Sequence, residues 1–546
     1  MFTLRDRRTG DLFDRWSDLG EKRRRLLERS WAGVFRKHLL EDLPVDELSH
    51  HLDDRLGRPS KDLHVVIGVL ILQQLHDLSD RATVEALAFN MTWHYALGVH
   101  SESDAYFCEK TLRNYRRLFI AQGLDELLFQ RLTDRLVQGF NVDTSRQRMD
   151  STALRSAMRS LTRLGIVVET ISKFMRELKR FDPALHSRID ADMIRRYVDR
   201  EGDGAFANTS PSVSRRRLLE AGQDLLALAL QFRDTVAEQL SSFAILERVL
   251  RDQFDVVEDG SSEPATPIAI VRKPADVPCD TVGNPADPDS SFNTHKGQGY
   301  MAQIVETWSD DGADSEGNDT AGASPLDLIS PDLITHVEVH KMTVHDGHRV
   351  EDAMEGLEAR DLKPAMLLGD SHYGASETKA MMRDREIDLV APMPPAKGSL
   401  SGRLTLEDFA LDASGLVLRC PNDTKPTSTS AAKARLQARF ELSDCRACPD
   451  MLRCPVQADK HDGSSARFQY TPVRVTNRKR RLYERSKAFL DIYRWRAGVE
   501  ATMSRLKHQM NLANLRVRGM PAMRYAVHLR ALGLNIHRCA RVGQGM

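Results

Sequence analysis

The sequence predicts an α/β protein: a mixed sheet flanked by helices, preceded by a helical N-terminal domain and interrupted by a helical insert and a cysteine-containing insert. Three observations lead there. Between Leu26 and Val137 apolar residues recur at spacings of three and four, as in Ile67, Ile71, Leu75 and Leu78, which is the period of amphipathic helices. Val142 to Asp150 reads as extended, and Gly299 to Trp308 and Leu333 to Lys341 have the alternation and β-branched content of strands. Directly after the first of these, Leu154 to Phe254 returns to a helical pattern, with a break near Gly202 to Ser214, which marks an insertion behind a strand.

In chain order, residues 1–137 form the helical N-terminal domain, 138–153 the first strand of the sheet, and 154–256 the helical insert. Within the first of these, Thr111 to Arg117 reads as a helix carrying Arg113, Arg116 and Arg117. Such cations can lie along a DNA backbone, although an ordinary solvated helix face has the same composition. Residues 257–395 continue the sheet. Asp255 to Asp289 is rich in Pro, Asp and Ser, and Ser309 to Ser324 in Asp, Gly and Ser, so both are expected to be mobile loops. A helix at His348 to Ala359, a strand at Ala365 to Leu368, a helix at Ser376 to Arg385 and a strand at Ile387 to Ala391 follow. Residues 396–473 form the second insert, and 474–546 a basic helical segment that completes the sheet domain.

The chain has 546 residues, 41% hydrophobic and 29% charged, as a soluble multidomain protein would. Its longest apolar run, Val65 to Leu72, is far shorter than the roughly 20 residues that cross a bilayer, and Met1 to Asp14 is too charged for a signal peptide. Seven cysteines are too few for a secreted disulfide scaffold, so a reducing, cytoplasmic location is expected. Lys plus Arg and Asp plus Glu balance at 78 each, but they are segregated. Arg474 to Met546 holds 17 basic and 3 acidic residues, and Asp255 to Thr335 holds 3 basic and 16 acidic ones. The basic end is an electrostatic footprint for nucleic acid, because each neutralised phosphate releases condensed counterions. A solvated charged surface is the alternative.

Two aspartates stand at the ends of strand-like runs, in Met149-Asp150-Ser151-Thr152 and in Gly369-Asp370-Ser371-His372-Tyr373-Gly374. Strand ends of one sheet can converge on a shared crevice, while Asp beside Ser or Gly is also a common turn residue. Asp143 is a rival for the first position. Further on, Tyr493, Arg496, Glu500 and Lys507 fall on one narrow stripe of a helix, beside an apolar stripe of Val499, Met503, Leu506 and Met510. A plain ion-pair ladder would leave the tyrosine and the alignment unexplained.

The spacing of Tyr493, Arg496, Glu500 and Lys507 resembles the Y-R-E-K signature of bacterial insertion-sequence transposases of the DDE class. Gly57 to Gly98, with Gly57-Arg58-Pro59 and Leu78-Ser79-Asp80, is similar to the helical N-terminal domain of that family. The likeness covers most of the chain except the helical insert and the acidic loops. It implies a ribonuclease-H-like catalytic fold in which Asp150, Asp370 and Glu500 hold Mg²⁺ or Mn²⁺. It also implies that Tyr493, Arg496 and Lys507 hold the element-end backbone. The implied substrates are double-stranded DNA of the terminal inverted repeats and of the target, handled by a homodimer on DNA near the nucleoid, with no membrane partner. A transposase-derived DNA-binding protein that no longer cuts, or a nuclease on the same fold, is the alternative.

Cys420, Cys445, Cys448 and Cys454 cluster in the second insert, with C-x-x-C at the centre. Four thiolates can close a tetrahedral structural Zn²⁺ site that would let a polar, loop-rich segment fold, and reduced free thiols are the alternative. His336, His340, His345 and His348 tempt a metal reading, but the alternation from His336 to His340 is that of a strand with a polar face.

Overall fold

The computed structural model describes residues 16–53, 60–99, 101–158, 160–199, 210–259, 266–310, 330–394, 402–432, 434–459 and 462–543. It is a mixed α/β protein in which parallel and antiparallel strand pairings both occur among many helices. The principal strands are β1 (Arg146–Arg155), β2 (Phe254–Asp259), β3 (Thr266–Val271), β4 (Ser291–Asn293), β5 (Gly297–Thr307), β6 (Ile334–Lys341), β7 (Met366–Leu368) and β8 (Asp388–Val390). The chain divides into two compact units: Met1–Asp143 with Ser151–Leu362 and Ala501–Met546, and Thr144–Asp150 with Lys363–Glu500.

In the first unit, the helix Leu63–Leu75 is apolar on nearly every side, with Val66, Ile67, Val69, Leu70, Ile71 and Leu72 fully enclosed, as expected of a helix at the centre of a core. The helices Leu124–Gly139 and Met520–Gly543 pack on it or on each other. Side chains close the ends of these helices. Asp62 accepts from the His64 amide, Ser79 caps Asp80–Phe89, and Gly98, at φ 58°, takes the left-handed turn that ends Met91–Leu97. The motif Gly57-Arg58-Pro59 lies outside the described residues.

The helical insert has its own core, built where Arg163–Phe181, Pro211–Phe232 and Ser241–Gln253 bring Ile171, Phe174, Leu225, Phe232, Phe243 and Leu246 together. Its continuation corrects only the first part of the loop expected over Asp255 to Asp289, since residues 272–289 hold no strand or α-helix beyond the 3₁₀ turn Pro274–Asp276. β2 and β3 pair antiparallel, Val257 opposite Ile268, and Phe254 and Ala269 join the core of the insert. Phe254 seats against Gly222, where a Cβ would lie 2.3 Å from its ring. Of Ser309 to Ser324, residues 311 onward lie outside the described residues. β5 and β6 pair antiparallel, Ile304 opposite Val337, which makes His336 and His340 strand residues.

In the second unit, the start of β1 runs parallel to β7, Arg148 opposite Leu368, and β7 runs parallel to β8, Leu368 opposite Val390. Here too the sequence reading needs correcting. The second insert is not loop-rich: Ser428–Ala432, Arg435–Glu441, Gln457–Ala458 and Ser465–Tyr470 form a four-stranded antiparallel sheet. Its core comprises Leu406, Phe409, Val417, Leu436, Phe440, Phe468, Tyr470 and Val475. The chain then returns through the helices Pro472–Tyr483 and Lys487–Tyr493.

Candidate functional site

Register alone makes Asp150 and Asp370 neighbours. Arg148 is level with Leu368 on adjacent parallel strands, and each aspartate stands two residues beyond that pair. Asp370 lies just past the carboxyl end of β7, and Asp150 lies within β1, which runs on to Arg155 rather than ending there as the sequence suggested. Behind Asp370 the chain turns sharply. Asp370 accepts from the His372 amide at 2.8 Å and contacts the His372 ring nitrogen Nδ1 at 3.0 Å. Tyr373 is buried, and Gly374 passes so close to Pro392 that a Cβ would fall 1.8 Å from its carbonyl oxygen. The glycine of this motif is therefore required by backbone contact.

Glu500 reaches the same place from a helix. Contrary to the single helix predicted, Lys487–Tyr493 passes through a 3₁₀ turn, Arg494–Arg496, into the helix Ala497–His508. The tighter turn sets Arg496 between two acids. Its guanidinium donates to Asp150 Oδ2 at 2.9 Å and to Glu500 Oε1 at 2.9 Å. Burial works against the charge on Arg496, but Asp150, Asp370 and Glu500 outweigh it and raise its pKa above the usual value. The Tyr493 phenol is raised as well, first by burial; Arg496 opposes this, and the carboxylates of Asp370, Asp150 and Glu500 add to it. All three acids thus lie within electrostatic reach of one phenol. The side chains of Asp150 and Asp370 are 14% and 24% exposed, whereas that of Glu500 is 63% exposed.

Several positioning contacts carry no sequence signal. Buried Arg148 donates to the Trp495 carbonyl at 3.0 Å, tying β1 to the 3₁₀ turn. Gly498 leaves room for it, since a Cβ there would sit 2.1 Å from the Arg148 guanidinium. Tyr493 stacks on Phe489 at 5.4 Å. Val499, Met503, Leu506 and Met510 are buried, as the apolar stripe predicted. Lys507 is half-buried further along the same helix and belongs to the first unit, as does Asp143, which lies ahead of β1.

Among the described residues, no three His, Cys, Asp or Glu side chains form a group placed to hold a metal ion. The donor chemistry at Asp150, Asp370 and Glu500 nevertheless suits a hard divalent cation, which favours carboxylate oxygens, and Arg496 is the counter-charge that such an ion would replace. The four cysteines line one apolar cavity of about 40 Å³ with Phe440, Met451 and Val456. Burial, then the neighbouring cysteines, push Cys445 up to about 11, so its thiol keeps its proton at neutral pH unless a cation draws it off.

In the N-terminal helical region, the helix Glu109–Ala121 carries the three arginines singled out from sequence. Arg113 and Arg117 are exposed, but Arg116 is not available in the same way. It donates to Asp80 at 2.9 Å and to Gln73 at 3.1 Å, bracing this helix against its neighbours.

Residues 419–540 match the family model described as Transposase DDE domain, and residues 32–118 match the one described as Transposase domain (DUF772). The two matches support an insertion-sequence transposase, a class of DNA-cleaving enzyme. The first match contains Tyr493, Arg496, Glu500, Lys507 and the four clustered cysteines; the second contains Arg113, Arg116 and Arg117; Asp150 and Asp370 fall outside both. A curated relative, the uncharacterized protein ORF8 in the nfe locus of Rhizobium meliloti, is 27% identical over 128 residues, 23% of this chain and 62% of that protein. The chain therefore spans less than two thirds of that relative's length. No solved structure matches the chain. Among the described residues, no helix is long and apolar enough to cross a membrane.

Proposed function

We propose that the chain is a DNA transposase that cleaves insertion-sequence ends and joins them to target DNA by phosphoryl transfer at Asp150, Asp370 and Glu500. The observation that carries this reading is that the charges of Asp150 in β1, Asp370 just after β7 and Glu500 on a helix all act on Tyr493 and Arg496. The three acids would hold Mg²⁺ or Mn²⁺, and a bound pair of such ions stabilises the attacking and leaving oxygens of an in-line displacement. The remaining work falls to the chain itself. Tyr493, kept protonated by burial and by the acids, donates a hydrogen bond to a phosphate oxygen. Arg496, held between Asp150 and Glu500, would offer its fork to the same backbone. Lys507 adds a point charge along the helix, and Arg113 and Arg117 contact duplex DNA from the N-terminal helices. The protein works as a homodimer on DNA, and the four cysteines hold a structural Zn²⁺.

The test is metal-dependent cleavage of a duplex carrying the element's inverted repeats. Asp150→Asn, Asp370→Asn and Glu500→Gln are each expected to abolish cutting and to leave DNA binding intact. A purified variant that still cuts at the wild-type rate removes that residue from the site. Binding without any cleavage by the wild type would favour a transposase-derived DNA-binding protein, and cleavage without strand transfer a nuclease.

A further inference from the structure

The first unit holds a cleft of about 660 Å³ whose walls come from opposite ends of the sequence. One wall is the helix Glu109–Ala121, with Arg113 and Arg117 four residues apart and so on one face. The other is the segment from Leu515 to Arg518, which opens in extended backbone at Leu515 (φ −62°, ψ 133°). Leu515 is buried while Arg516 and Arg518 are exposed, the alternation that puts both arginines on one side of an extended chain.

The carboxylates of the cleft are already engaged. Asp80 is held by Arg116 at 2.9 Å and by Gln73 at 3.0 Å. Asp77 is held by Arg530 at 2.7 Å and by Asn511 at 2.7 Å. Among the described residues, Arg113 makes only long ion pairs, 3.8 Å to Asp80 and 3.8 Å to Glu109, and Arg117, Arg516 and Arg518 pair with no carboxylate. Four guanidinium groups thus face a concavity whose negative charge is spent internally. Planar forks of this kind match phosphate oxygens. Both walls lie in the stretches that match transposase domains.

We infer that this cleft is a clamp for the sugar-phosphate backbone of duplex DNA, with Arg516 and Arg518 as contacts alongside Arg113 and Arg117 and with Arg116 and Arg530 as struts. The inference rests on the reading that the chain acts on DNA and adds a second surface to it. Contacts of this kind fix position and carry no base sequence.

The test is fluorescence anisotropy of the full-length protein with a labelled duplex, without divalent ions, across a salt series. Each phosphate contact contributes about 0.9 to the slope of log K against log salt. R113A/R117A and R516A/R518A are therefore each expected to lower the slope by about 1.8, by the same amount on unrelated sequences. R516K/R518K retains the slope, and R180A, on the exposed side of the helical insert, leaves it unchanged. Circular dichroism melts identify any alanine variant that unfolds, and the Arg→Gln pair then replaces it. A wild-type slope in either double variant overturns the clamp while leaving the transposase reading intact. So does a preference for duplex RNA of equal length. Absence of any DNA binding by the wild type at low salt overturns both.

Discussion

Asp150 and Glu500 share one guanidinium, so Arg496 serves local stability, and under the proposed function the same group turns to DNA. Replacing it with alanine removes a charged hydrogen bond to the largely enclosed Asp150, which costs about 1–3 kcal/mol. Arg496→Ala is expected to lower the melting temperature of the metal-free protein, and Mg²⁺ to recover more of that loss than it adds to the wild type. Equal Mg²⁺ shifts in both proteins would show that no cation enters between these acids. Asp370 follows the apolar run Ala365 to Leu368, which marks a strand end in the sequence, whereas the residues before Asp150 are largely polar and β1 continues past it to Arg155. Arg148 and Gly498 were not legible in the sequence, because their meeting depends on Trp495, hundreds of residues from β1 in the chain. The engagement of Arg116 by Asp80 was hidden for a related reason: that acid sits on another helix.

Among the elements, those with one unbroken period were the easiest to read. The stripe from Val499 to Met510 lies mostly within a single helix, and all four of its residues are buried. Across Tyr493 to Glu500 the arithmetic assumed continuity, and the 3₁₀ turn, advancing about three residues per turn, breaks it. The β2–β3 pair was missed because its outward residues Val256, Val257 and Ile270 remain exposed, and few of its side chains reach the core. The turn after β7 has a sharper requirement. Gly374→Ala drives a methyl group into the Pro392 carbonyl and is expected to destabilise the protein by about 1–3 kcal/mol, read as a lower urea midpoint. A midpoint equal to wild type would show that the turn can relax.

At the end of the helix Leu63–Leu75, His76 stacks with Trp93 at 5.8 Å and meets Trp31 edge-on at 5.0 Å. Burial, then the charge of His537, lower its pKa to about 4. An unfolded histidine takes up a proton near pH 6.5, so between about 6.5 and 4 the unfolded chain binds more protons than the folded one. The stability contributed here is complete above about pH 6.5 and declines as the pH falls toward 4. His76→Gln is expected to flatten the difference between urea midpoints at pH 7 and pH 5; an unchanged difference would assign the acid sensitivity to other groups.

At the scale of the whole molecule, the second insert combines a sheet with an apolar core and a four-cysteine cavity at its margin. Protein purified without chelator is expected to contain about one zinc per chain, and chelation to expose the cysteines to thiol reagents while the insert sheet persists. Zinc-free protein in elemental analysis would leave them as reduced thiols. The helical stretch from Arg163 to Gln253 was visible in the sequence because its apolar residues keep a helical period. The two compact units were not, since each is assembled from separated stretches of chain.

That discontinuity has a consequence for how the protein is made. β1 emerges from the ribosome long before its parallel partner β7, and the 3₁₀ turn with Arg496 and Glu500 comes later still. Non-local pairing of this kind carries a large loop-closure cost and forms late. A translation product that stops before Lys487 lacks Arg496 and Glu500 together, so the proposed centre assembles only after both have been made.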